Sequence, residues 1–421
     1  MATASTRPRL RPIESIVVQD RRHGKALMLR DTQGVAASHV VLPMEVVPIV
    51  ARFTGRETCD EIARSVSKEV GEKIPVSIVI QLATELEDAL FVDGPPYRRE
   101  RAKIEKDFAD AAVRPASHAG GAYHDDPAKL AEYIKKDCLA AATPRPAAAT
   151  PRPAAATPAA DKRLIALVAP HIDPWRGAVC YGAAYNAFAA ALPPDAETFI
   201  LLGTSHAPMK EPFALCRKAF ATPLGQVDAD YEAIDAIARA CDFDPYADQF
   251  NHKREHSLEF QAVFLRHVLG KRPARIVPIL AGLGEQQSTG DSPSESKEVM
   301  RVLDAIRKVI DDTNAIVIAG ADLAHVGPRF GDPRPLDERE RKVLDGTDRE
   351  SLDHASAVDA EGFWKHVAAD LDTRRVCGLA PMYSLLRVID PRSRGELRHY
   401  EQTVDPDEGS IVSHAAVGFY V

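Results

Sequence analysis

The chain has 421 residues, of which 45% are hydrophobic and 27% charged, with a formal net charge of -8. That is the make-up of an ordinary soluble protein, long enough for two or three cores. It excludes a general nucleic-acid binder, because neutralising phosphates requires a concentrated basic surface.

Residues 13–97 describe a compact module. Two β-like stretches, 13–20 and 26–30, precede a helical pattern with Val46, Val47, Val50 and Phe53 on one side, ended by Gly55. Thr58 and Glu61 form a T-x-x-E capping box that satisfies orphan amides at a helix start, ahead of Ile62, Val66 and Val70 on one face. A third helix follows Pro75 with Val79, Leu82, Leu86 and Leu90 inward, and a short strand FVDG closes the unit. Three small helices flanked by strands predict a winged-helix-like α+β domain over residues 1–105. Its balanced charges argue further against DNA.

Residues 141–160 are a Pro/Ala stretch in which TPRPAAA recurs; it cannot build a core and predicts an extended spacer. Beyond it, strand-like runs at 164–168, 198–202, 276–280 and 315–318 alternate with helical patterns such as 183–190 and 231–240. That alternation predicts βαβ units in an α/β sheet with helices on both faces. The stretch 415–421 is expected to return as a strand, and the polar loop 284–297 to be exposed. No run reaches membrane-span length and none follows the basic start MATASTRPRLRP, so a cytoplasmic protein without membrane contact is expected. The six cysteines show no CxxC pairing, and all but Cys377 read as packed thiols.

Three apolar runs end in histidine: LIALVAPH at His171, TFILLGTSH at His206 and AIVIAGADLAH at His325. Ligand crevices of such sheets lie beyond the carboxyl ends of the strands, so these imidazoles are expected to converge. With His256 in REHS, Asp322 and Cys377 they form a constellation able to hold a metal. Two imidazoles and a thiolate with an open fourth position suit Fe(II), zinc or copper, sulfur favouring the softer ions. A helical turn after the last run would put Asp322 and His325 on one side, as proton handling requires. His118, His252, His267 and His414 are weaker candidates. A competing motif is GTSHA, close to the GxSxG nucleophile elbow; Ser205 with Asp322 and His325 or His414 would make a serine-hydrolase triad. The sequence Gly282-Leu283-Gly284 lacks the third glycine of a dinucleotide fingerprint.

In order along the chain, SHAGGAY (117–123), VAPH (168–171), LLGTSHAP (201–208), ATPLGQVDAD (221–230), REHSLEFQAVFL (254–265), IVPILAG (276–282), GADLAHVGPRFG (320–331), VCGLAPM (376–382) and SIVSHAA (410–416) resemble the Memo family, protein B of the AmmeMemoRadiSam system. The resemblance extends the second domain to 114–421 and makes the Pro/Ala stretch an insertion in it. It implies a fold similar to class III extradiol dioxygenases, with His171, His206 and Cys377 as metal ligands for Fe(II) or copper, or zinc. Asp322 and His325 would stand beside the metal, and Glu255 and His256 would line the cleft. A thiol in place of the dioxygenase carboxylate makes ring cleavage doubtful. The family's usual PHAGY is here His171-Ile172-Asp173-Pro174-Trp175 and its SYAA is Ser413-His414-Ala415-Ala416, so the pocket should differ. The layout of the first module resembles PqqD-like domains, which take up a precursor peptide as an added strand; a packing or dimerisation unit is the alternative. The implied function is redox- or oxygen-linked chemistry, on a peptide and alongside radical-SAM and Ammecr-type partner proteins. The alternatives are a binding scaffold with a vestigial pocket, or the hydrolase.

Overall fold

A computed structural model describes residues 1–20, 24–142, 162–283, 286, 289–369 and 371–421. Most of the Pro/Ala spacer, and part of the polar loop at 284–297, lie outside the described residues. The chain divides into two compact units, residues 1–111 and 112–421.

In the first unit β1 (Glu14–Asp20), β2 (Gly24–Arg30) and β3 (Val40–Pro43) form an antiparallel sheet in that order. The helices are α1 (Val47–Val50), α2 (Cys59–Val70), α3 (Val76–Asp88) and α4 (Pro95–Asp110). The capping box forms: Thr58 Oγ1 accepts the Glu61 N–H at 3.2 Å, and the Glu61 carboxylate accepts the Thr58 N–H at 2.7 Å. Ile49, Phe53, Ile62, Val66, Val79, Leu86 and Phe91 make the core. Two expectations need correction, and one helix was not foreseen. Val70 is exposed, because the helix ends there at a left-handed Gly71 cap. FVDG makes only an isolated bridge between Leu10 and Val92. Helix α4 was not expected, because its sequence is strongly charged and it buries only Tyr97 and Phe108.

The second unit is built on a large mixed sheet. Its strands include β4 (Val113–Arg114), β5 (Leu164–Ala169), β6 (Thr198–Thr204), β7 (Phe213–Leu215), β8 (Ala219–Phe220), β9 (Asp228–Ala229), β10 (Arg275–Ala281), β11 (Ile316–Gly320), β12 (Asp322–Val326), β13 (Arg394–Val404) and β14 (Ile411–Tyr420); β4 and β8 pair apart from the main sheet. Its helices include α5 (Pro127–Tyr133), α6 (Pro174–Ala191), α7 (Tyr231–Ala238), α8 (His256–Leu269), α9 (Lys297–Thr313), α10 (Glu338–Ser356), α11 (Ala360–Ala368) and α12 (Leu379–Val388). The central order β5-β11-β6-β10 is parallel. Strands β5, β6, β10 and β11 are almost wholly buried, as parallel strands covered on two faces must be. Helices α6 and α8 pack against them, as does α12. Ala166, Val168, Ile200, Leu202, Val317 and Ala319 share one buried cluster with α9, α11 and α12, in which α6 and α8 take no part.

The 315–325 run does not form one strand followed by a helical turn. It breaks at Ala321 into β11, parallel to β5 and β6, and β12, antiparallel to β14. Asp322 faces His414 in register while His325 faces Val412, so β12 carries an extra residue in a bulge. The closing stretch does return as a strand: β14 pairs β13 along its length on one side and β12 then β5 on the other.

Candidate metal centre

Strand order explains why residues far apart in sequence meet. Gly320 at the end of β11 is in register with Ala169 of β5 on one side and Gly203 of β6 on the other. His171 and His206 follow those neighbouring strand ends by two or three residues. The chain must pass close to α8 here. A Cβ on Gly320 would lie 2.1 Å from the Ser257 carbonyl oxygen, and one on Gly203 would lie 2.5 Å from Ser257 Oγ. The two glycines admit the start of α8, and with it Glu255 and His256, to the strand ends.

Cys377 arrives just ahead of α12. Its carbonyl accepts from Thr204 Oγ1 at 2.7 Å, and the next N–H, of Gly378, donates to the Asp322 carbonyl at 3.0 Å. One donor atom from each of His171, His206 and Cys377 lies within 4.8 Å of the others. Cys377 Sγ is 3.1 Å from His171 Nε2. His171 Nδ1 is 2.9 Å from the Gly320 carbonyl, an acceptor only, so Nδ1 carries the proton and Nε2 keeps its lone pair. His206 Nδ1 lies 3.0 and 3.1 Å from the two oxygens of Glu255, which fixes the same tautomer. Such partners orient metal-binding imidazoles and raise their basicity.

Glu255 is buried and accepts the backbone N–H groups of His206 and Ser257, each at 2.9 Å. Burial alone would raise its pKa; the neighbouring His206 and His256 and these hydrogen bonds outweigh it and hold the carboxyl well below its usual range. Burial, with a smaller effect from His206, pushes the pKa of His171 down to about 4, so it is neutral and ligand-competent near neutral pH. Burial and the nearby Asp322 push the Cys377 thiol well up. A bound cation would reverse that, since a coordinating thiol is deprotonated outright. The donor set therefore fits a metal: two oriented neutral imidazoles and a thiol whose proton the ion would displace.

Asp322 accepts the His171 N–H at 2.9 Å, and its other oxygen is 3.7 Å from His171 Nε2. Burial raises its pKa. His325 holds its Nδ1 3.2 Å from the Leu323 carbonyl and packs edge-on to Phe330; burial lowers its pKa to about 4. The His256 ring stacks on His206 at 4.5 Å and meets His171 at 5.3 Å.

The hydrolase reading is not supported by geometry. Ser205 Oγ donates to the Ala207 carbonyl at 2.7 Å and accepts from Asn251 at 3.3 Å, with no imidazole among its partners in the described residues. Its backbone is not in the left-handed region, and β6 leads on to β7 rather than directly into a helix, unlike a nucleophile elbow. His414 is fully buried, its Nε2 2.9 Å from Thr403 Oγ1. His252 is buried on the Ala214 carbonyl.

The family described as "Memo-like protein" matches residues 114–418. The chain belongs to the Memo family. A MEMO1 family protein of Aquifex aeolicus is 24% identical over 405 residues, covering 94% of this chain and 97% of its own. That share exceeds what the second unit can supply, so the alignment runs into the first unit as well. A MEMO1 family protein of Thermus thermophilus is 27% identical over 349 residues, 81% of this chain and 93% of its own. A solved structure of an uncharacterized Escherichia coli K12 protein aligns at a TM-score of 0.34 and 12% identity, over 61% of this chain and 99% of that one. Among the described residues no helix is long and apolar enough to cross a membrane.

Sequence reading of this Memo protein underrated one group. His118 and Glu259 meet beside His256. The available signal was the i, i+4 spacing of Glu255 and Glu259 at a helix start, together with the SHAGGAY motif.

Proposed function

We propose that this Memo-family protein holds one redox-capable transition metal at His171 Nε2, His206 Nε2 and Cys377 Sγ, iron or copper before zinc, and uses it in redox- or oxygen-linked chemistry. The observation that carries this reading is the pair of imidazoles whose Nδ1 atoms are committed to a carbonyl and a carboxylate, and whose cluster closes on a thiol within 4.8 Å. A metal bound there supplies Lewis acidity and one-electron chemistry. The chain's own residues hold and orient: Gly320 and Glu255 set the rings, Asp322 braces the His171 backbone, and His325 stands ready for protons. Sulfur in place of the carboxylate of a dioxygenase triad turns the proposal away from ring cleavage.

The reading extends to the first unit, whose edge strand β1 can accept a peptide substrate as an added strand. By resemblance it also extends to radical-SAM and Ammecr-type proteins as partners. Metal analysis of anaerobically purified and reconstituted protein tests the core of it. About one iron or copper per chain is expected, lost or weakened at least about tenfold in Cys377→Ala. Near-zero metal in both proteins overturns it.

A further inference from the structure

The turn that delivers Cys377 is strained. Six non-glycine residues have positive φ among the described residues, and three of them fall within five positions just ahead of this cysteine: Leu371 and Asp372 at 53° and Arg375 at 52°. Side chains enter the left-handed region as single residues, most readily asparagine or aspartate, and glycine enters it freely. Helix ends commonly use it through a glycine or asparagine just past the cap. Helix α11 runs out instead into a leucine that is 72% exposed, so burial of the side chain does not reward that conformation. Such backbone persists where the surroundings over-determine it.

Two neighbouring arginines supply the anchors, on two different aspartates. Arg374 is buried and donates to Asp348 Oδ1 at 2.8 Å; the other oxygen of that fully buried carboxylate accepts from the Ser413 hydroxyl at 2.6 Å and the Tyr400 hydroxyl at 3.0 Å. Arg375 grips Asp332 with two nitrogens at 2.7 and 3.2 Å, and Asp332 is itself fixed by the Gly327 N–H at 2.7 Å. The same two arginines hold β12 at His325, whose N–H donates to the Arg374 carbonyl at 2.7 Å and whose carbonyl accepts from the Arg375 guanidinium at 3.2 Å. The Asp372 carboxylate closes the turn on the Val376 N–H at 2.7 Å.

Cys377 follows directly. Its carbonyl side is held independently of the turn, by Thr204 Oγ1 and by the close approach of Gly378, where a Cβ would lie 2.3 Å from the Asp322 carbonyl oxygen. Its amide side is set by the turn. The direction of the Cα–Cβ bond depends on both sides, and with it the reach of Sγ to 3.1 Å from His171 Nε2.

We infer that Arg375, clamped by Asp332, is a positioning residue for the Cys377 sulfur: it holds a strained turn in the conformation that presents the thiol to His171 and His206. This rests on Cys377 being a ligand, as proposed above. Without the clamp the turn relaxes towards ordinary backbone, the amide side of Cys377 turns with it, and the two imidazoles are left without the sulfur. Glycine at 375 removes clamp and strain together, because it takes left-handed backbone at no steric cost. Alanine removes the clamp and keeps the strain.

The probe is cobalt(II), added to the whole metal-free chain, because a coordinated thiolate gives it a charge-transfer absorption that imidazoles do not. Absorption per bound cobalt, affinity by chelator competition and the thermal midpoint are measured in wild type, Arg375→Ala and Arg375→Gly. Arg375→Ala is expected to lose the sulfur absorption and to bind cobalt at least about tenfold more weakly. Arg375→Gly is expected to keep part of that absorption and to bind about fivefold more tightly than Arg375→Ala. Wild-type absorption and affinity in Arg375→Ala overturn the inference, and a lowered thermal midpoint beside them marks a structural clamp and nothing more. Arg375→Gly no better than Arg375→Ala also overturns it, because strain would then not be what moves the sulfur. Should Arg375→Ala fail to fold, Asp332→Asn carries the test: it breaks the clamp, leaves one oxygen for the Gly327 N–H and should weaken the same two readouts, and unchanged readouts there overturn the inference equally. Wild type that binds no cobalt, or binds it without sulfur absorption, defeats the ligand reading before any variant is compared, so the two failures are told apart.

Discussion

Glu255→Gln keeps the side-chain volume but removes the charge and one acceptor oxygen. In the native protein the Ser257 N–H uses Oε1 while the His206 N–H uses Oε2, each at 2.9 Å, and His206 Nδ1 reaches both. An amide has one carbonyl oxygen, so whichever way it turns, one backbone N–H faces an NH2 donor at the buried Glu255 position. That mismatch costs about 1–3 kcal/mol. His206 also loses the charged acceptor that fixes its tautomer. Outer partners of this kind govern metal affinity by about 10–100-fold, or about 1.4–2.7 kcal/mol. Chelator competition on the metal-loaded protein, with denaturant unfolding of the same samples, separates the two effects. Affinity within about twofold of wild type, in a variant that has lost stability, would refute the claim that Glu255 orients His206 for a ligand.

Acid should weaken the metal-free protein well above the usual carboxylate range. Burial lowers the pKa of His252 to about 4. Its folded value thus lies below the unfolded value of about 6.5, so its contribution is complete above about pH 6.5 and declines as pH falls towards 4. At about pH 5 this amounts to about 2 kcal/mol, and His252→Gln should lose that part of the pH slope in urea titrations; an unchanged slope counts against it. Gly320→Ala should destabilise the second unit by about 1–3 kcal/mol and weaken metal binding together, because the added carbon meets the Ser257 carbonyl at 2.1 Å. Calorimetry showing wild-type stability would mean that α8 can move aside freely. Thr58→Ala should cost about 1 kcal/mol through loss of the capping box, read as a lower denaturation midpoint with metal affinity untouched.

Local signals in this chain were legible where the forces are local. The Thr58–Glu61 box, the buried runs that became β5, β6, β10 and β11, and the strand-end positions of His171 and His206 each follow from residues within a turn or a strand of one another. The break at Ala321 was hidden, because 315–325 is one continuous apolar stretch and only pairing with β14 separates β12 from β11. Strand β13 was hidden too: all but its two end residues are half-buried, so it shows no clean alternation of apolar and polar residues.

Composition and short-range pattern by themselves determined the class of fold, the helix start at Thr58 and the residue types available for chemistry. The tertiary structure alone decided which of those residues meet. Adjacency of β5, β11 and β6 depends on burying both faces of each strand at once, which no single segment can express. The same holds for Glu259: a carboxylate on a helix reads as surface until the fold sets Arg114, Tyr123 and His118 around it, since burial of a charge is tolerated only when its partners arrive from elsewhere in the chain.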